Sequence, residues 1–266
     1  MHQSFLGIAI LALTLPAAPA RAMAETQIDA TAAQDVLSYI EHKDCKGAVN
    51  ALNKAIANKK PGILLMAGAL FEQGLCVKPN WDTAANYYLR AHEEGNRSAL
   101  PRLISGYAEN NRDPAAAMWW VSKSPYSLPP ACASANHLAS DPEAFVAALQ
   151  SWPKAQLAAC VYAAGVLHRI VGDVEFPGNA SRQGIAGNVY MHFVPATGTV
   201  RWTAGEMNRV PFTRVLQPGD DERSEFKDPL LKHVTAVGER SLKQFTRPPD
   251  IDPAWLIKVQ FNFHLD

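Results

Sequence analysis

Between residues 34 and 123 the sequence repeats at the length of a helical hairpin, which restricts the fold more than any other feature. Ala84, Tyr88 and Ala91 of AANYYLRAHEEGN match Ala48, Leu52 and Ala55 thirty-six positions earlier. AAMWWVSK at Ala116 to Lys123 repeats AANYYLRA with a four-residue deletion. Tyr39, Phe71 and Tyr107 fall at equivalent places, each closing an apolar helix ahead of an Ala-rich one. A two-helix unit of this length cannot bury its apolar face alone and stacks on the next, so the spacing predicts an α-solenoid. Alanine at the crossings lets paired helices approach closely, and Tyr87, Tyr88, Trp119 and Trp120 read as packing between hairpins.

The central unit, MAGALFEQGLCVKPNWDTAANYYLRAHEEGNRSA, resembles the Sel-one-like relative of the tetratricopeptide repeat. The residues that carry the likeness are Gly68, the loop pair Gly74 and Val77, Ala84 and Ala91, Tyr87-Tyr88 and the closing Gly95-Asn96. The first unit keeps mainly its alanines and the third lacks the Gly-x-Gly-Val loop. A Pro-rich stretch, SPYSLPPACASA, ends the array near residue 135. Asp141-Pro142 and Ser151 with Pro153 then predict two capped helices, the second striped by Leu157, Val161, Ala164, Leu167 and Val171. By position these two helices join the solenoid to a terminal domain and cap the solenoid's open end.

The last third has strand periodicity. Val189, Met191 and Phe193 alternate with Tyr190 and His192, and Trp255, Ile257, Val259, Phe261, Phe263 and Leu265 alternate with Lys258, Gln260, Asn262 and His264. Between them Asp228-Pro229 opens a helix with Leu231, Val234, Val237, Leu242 and Phe245 on one side, suited to cover a sheet. This segment, from about Phe176, resembles the C-terminal domain of TonB-type proteins. The matching residues are Pro177, Ala180, Gly184, Gly187, Gly198, Phe245 with Pro248, and the closing strand to Leu265. TAGEMNRVPF and the charged QPGDDERSEFKD stand where Ser-Ser-Gly commonly follows the second strand. The resemblance implies a small three-stranded α+β domain whose closing strand accepts an extended segment of an outer-membrane receptor, the TonB box. It implies that Lys258, Gln260, Asn262 and His264 lie beside that segment.

The apolar run Phe5 to Ala20 followed by Ala22-Met23-Ala24 predicts a cleaved secretory signal, with the mature chain starting near Glu25. Only His2 and Gln3 stand where a basic front end is usual, so an uncleaved anchor is the alternative. No later segment reads as long and apolar enough to cross a membrane. In an exported chain the four cysteines Cys45, Cys76, Cys132 and Cys160 predict two disulfides over four buried thiols. Three connectivities are open. The sequential one, Cys45 with Cys76 and Cys132 with Cys160, is preferred because each pair stays in its own helical neighbourhood.

Lys plus Arg and Asp plus Glu both number 25, so charge gives no case for nucleic acid or an anionic membrane surface. Zinc-protease, phosphate-loop and Gly-x-Ser-x-Gly patterns are absent from the sequence. Ser-x-x-Lys occurs at Ser151 to Lys154 and Ser224 to Lys227 without its companion motifs, and Ser151 reads as a helix cap. His42 and Cys45 have a metal-like spacing but no second pair. The expectation is a non-enzymatic chain without catalytic residues, metal or cofactor. Its fold class is multidomain α and α+β: signal peptide 1–24, α-solenoid 25–128, helical connector 129–171 and TonB C-terminal-like domain 172–266. The expected role is a periplasmic adaptor binding a protein or extended peptide, linked to receptor transport. The alternative is a structural or regulatory envelope protein that recognises its partner through the helical repeats only.

Overall fold

The computed structural model describes residues 20–175, 180, 184–209 and 228–264. Most of the expected leader, Pro177, residues 210–227 with Ser224 and Lys227, and Leu265 lie outside them. The chain is mostly helical with one three-stranded antiparallel sheet. Six helices form three consecutive hairpins: α1 (Ala20–Glu41) with α2 (Cys45–Ile56), α3 (Pro61–Gln73) with α4 (Trp81–Glu93), and α5 (Ala99–Ala108) with α6 (Pro114–Val121). Helix α1 runs unbroken through Ala22-Met23-Ala24, the expected cleavage site.

Local sequence sets these boundaries. The side chains of Asp44, Asn80 and Asp113 accept hydrogen bonds from the N–H groups of Gly47, Thr83 and Ala116, capping α2, α4 and α6. Each such cap is worth about 1 kcal/mol. Gly74 ends α3 in the left-handed region at φ 72°, where a side chain would be strained. The repeat positions Ala48, Leu52, Ala55, Ala84, Tyr88 and Ala91 are all buried. Gly68 of α3 lies under the Tyr88 ring so closely that a Cβ there would collide with the ring edge. Phe71 and Tyr87 stack within the second hairpin, Trp120 meets His92 edge-on, and Trp119 meets Phe145.

The sequential disulfides are present. Cys45–Cys76 joins the start of α2 to the loop after α3, with Cα atoms 4.8 Å apart. Cys132–Cys160 joins the Pro-rich stretch to the next long helix, with Cα atoms 5.4 Å apart. Two such bonds are compatible with an oxidising compartment.

Helix α7 (Pro142–Gln150) is capped by Asp141 as expected. Ser151 is not an N-cap: its Oγ donates to the Ala148 carbonyl at the end of α7, and Pro153 precedes α8 (Lys154–Asp173). The expectation that no later segment is membrane-length also fails. Helix α8 is long and apolar enough to span by composition, but 61 % of that stretch is buried inside the protein. It serves as the central core helix, packed on α5, α6 and the last helix, α9 (Asp228–Leu242). Helix α9 stops before Phe245, which folds back to place its ring on Gly165 of α8.

Strands β1 (Ile185–Val194), β2 (Thr199–Arg209) and β3 (Ile257–Phe263) are ordered β2-β1-β3. Their inner face, Val189, Met191, Phe193, Ile257, Val259 and Phe263, is buried. It packs on Leu230, Val234 and Val237 of α9 and, through Phe193 and Tyr162, on α8. Burial of each large apolar side chain contributes roughly 1.5–3 kcal/mol, so alternation alone fixes which face turns inward.

Candidate peptide-binding edge

The closing strand β3 has β1 on one side and, among the described residues, no strand on the other. Its apolar residues Ile257, Val259 and Phe263 are buried, whereas Lys258, Gln260, Asn262 and His264 are all exposed. Gln260 donates from its side-chain amide to the Asn262 side chain at 2.7 Å. Across the β1–β3 register Lys258 stands opposite His192, Gln260 opposite Tyr190 and Asn262 opposite Asn188. Lys258, Gln260 and Asn262 therefore share one outward sheet face, while His264 is exposed just past the end of β3.

Backbone direction follows from the turn. Thr197 N–H reaches the Val194 carbonyl and Gly198 N–H the Pro195 carbonyl, with Gly198 at φ 63°. A four-residue turn of this kind closes on a hydrogen-bonded pair, here Val194 with Thr199. Antiparallel ladders alternate, so His192 and Tyr190 bond toward β2, while Phe193, Met191 and Val189 bond toward Ile257, Val259 and Phe261 of β3. The same alternation sends the N–H and C=O groups of Lys258, Gln260 and Asn262 away from β1, toward the open edge. A bulge in β2 opposite Asn188 ends the regular pairing of β1 with β2, and β1 pairs with β3 without a register shift.

His42 Nδ1 lies 2.7 Å from the Ser38 carbonyl, and the Cys45 thiol is consumed by its disulfide. No cluster of three or more His, Cys, Asp or Glu suited to a metal occurs among the described residues. Two arrangements gave no sequence signal. Arg169 on α8 pairs with Glu72 of α3 at 2.5 Å and with Asp173 at 3.1 Å, and Arg102 of α5 meets Asp173 at 2.6 Å. Tyr88 of α4 donates to Glu72 at 2.5 Å, so one buried network ties four helices together. Burial, then the Glu72 charge, raises the Tyr88 pKa. Burial opposes the Arg169 charge, but Glu72 and Asp173 outweigh it and hold the guanidinium above its ordinary pKa.

The second arrangement is Ser124, 2.8 Å from Nε2 of His168. His168 Nδ1 lies 2.8 Å from the Ala164 carbonyl, which places the proton on Nδ1 and makes Nε2 the acceptor. Burial pushes the His168 pKa down to about 4, against the bond to Ala164, so a neutral imidazole holds the end of α6 on α8. Glu72 with Arg169, Arg102 with Asp173 and Ser124 with His168 lie tens of residues apart, and a single sequence carries no period or motif that joins them. Comparison with known proteins found no matching family model, curated protein or solved structure.

Proposed function

We propose that this protein is an exported, non-enzymatic adaptor of the periplasm whose β3 edge accepts an extended peptide segment as a fourth strand. The observation that carries the reading is the open side of β3, with exposed Lys258, Gln260 and Asn262 at the positions whose backbone groups point outward. An unpaired strand edge is a template: main-chain bonds supply affinity, and alternate side chains supply selectivity. The resemblance to TonB C-terminal domains supports the same strand and suggests a receptor's TonB box as occupant. In this reading the three helical hairpins form an α-solenoid of Sel-one-like units, and the disulfides suit the destination.

Gln260→Pro tests the edge. Proline on an outer strand with its nitrogen toward solvent is tolerated, whereas at an inward position it removes a ladder bond and destabilises the fold. The variant is expected to keep its circular dichroism spectrum and lose binding of extended receptor-derived peptides. An intact variant that binds as well as the parent contradicts the proposal.

One observation favours the second reading, recognition through the hairpins alone. Leu37, Tyr39 and Leu75 are large apolar side chains exposed on the first two hairpins. Tyr39 also lines a cleft of about 690 Å³ with Asp35, Asn50 and Lys54. Capture of a protein partner that is lost on Tyr39→Ser and kept on Gln260→Pro is the result that reading predicts.

A further inference from the structure

The outward sheet face carries a row of basic side chains that extends to the open edge. His192 of β1 stands opposite Arg201 of β2 on one side and Lys258 of β3 on the other, so three basic residues lie side by side across the sheet. Neighbouring strands are about 4.8 Å apart, so the Arg201 and Lys258 positions stand about 10 Å apart with His192 between them. None of the ion pairs among the described residues takes Arg201, His192 or Lys258. Glu206 is the only carboxylate in the three strands, and it sits in the bulge, five residues along β2 from Arg201. Gln260 with Tyr190 and Thr203, the next row along, is uncharged.

We infer that the segment added at β3 carries an acidic residue beside Lys258, completing the Arg201–His192–Lys258 row with a carboxylate. The inference rests on the strand-accepting reading and specifies its ligand. A strand laid along β3 in either direction places one of its side chains next to Lys258 on the outward face. Its flanking residues turn to the core side, where the Phe261 ring is only partly buried beside Trp202. The fitting ligand is thus an extended peptide with an acidic residue on its outward face and apolar residues on its inner face. Arg201 stands three strand spacings, about 14 Å, from the added segment, so its attraction is felt only at low salt.

The test uses the full mature chain and three synthetic ten-residue peptides of alternating threonine and valine. Their central outward position is aspartate, asparagine or lysine, and binding is read by titration together with amide exchange along β3. The aspartate peptide is expected to bind about two- to fivefold more tightly than the asparagine one at low salt, and the lysine peptide most weakly. Lys258→Glu is expected to reverse that order with amide protection still at Lys258→Glu, Gln260 and Asn262. If all three peptides protect β3 equally, strand addition stands and the charge inference is overturned. If none protects β3, both fall. If Lys258→Glu leaves the order of the peptides unchanged, the inference is overturned.

Discussion

At the residue scale the strongest constraints are buried polar groups whose partners lie far away in sequence. Arg169 neutralises Glu72 across α3 and α8, and both side chains are almost enclosed, at 12 % and 7 % exposure. Removing one member of such a pair leaves a charge buried without compensation, which costs about 3–5 kcal/mol. Arg169→Met is therefore expected to lower chemical-denaturation stability by that amount, and Arg169→Met with Glu72→Gln by less. His168 gives a pH signature. Its folded pKa is about 4, so the folded state resists protonation that the unfolded chain accepts near pH 6.5. This contribution is complete above about pH 6.5 and is lost as pH falls toward 4, on the order of 3 kcal/mol in all. His168→Gln, which keeps hydrogen-bonding capacity without titrating, is expected to flatten the stability profile between pH 4 and 6.5. An unchanged slope would show that other groups set it.

Among the elements, those with strong periodicity are readable from sequence. The Ala48–Leu52–Ala55 and Ala84–Tyr88–Ala91 spacings place the buried stripes of α2 and α4, and the alternation around Val259 places β3 with its faces the right way round. Boundaries that depend on tertiary partners are not readable. Ser151 closes α7 instead of opening α8, because a serine hydroxyl bonds equally well to a preceding carbonyl. Phe245 continues the apolar stripe of α9 in sequence, yet the chain leaves the helix to seat its ring on Gly165. Composition alone would let α8 span a membrane, whereas neighbours on several sides make it the core. The position of β3 beside β1 and the basic row both need the cross-strand register. The disulfides act at this scale too. Cys132–Cys160 closes a loop of sequence separation 28. Cys132→Ser with Cys160→Ser is expected to cost about 3 kcal/mol of stability, with non-reducing peptide maps showing both sequential bridges in the parent. Free thiols or crossed pairs in that map would contradict the assignment.

At the scale of the whole molecule, α5, α6, α9 and the inner sheet face pack on α8, and the Glu72–Arg169 network ties α8 to α3, α4 and α5. Export is a separate expectation: N-terminal sequencing of the protein from the envelope-soluble fraction should begin between Arg21 and Glu25, and recovery of Met1 or His2 in a membrane pellet would contradict it. The central claim is strand addition at β3, and backbone amide exchange measures it most directly. On saturation with an extended receptor-derived peptide, the amides of Lys258, Gln260 and Asn262, which point to the open side, are expected to slow by at least tenfold. Those of Val259 and Phe261, already bonded to β1, are expected to change little by comparison. Binding that leaves the Lys258, Gln260 and Asn262 amides exchanging as fast as in the free protein would contradict the account.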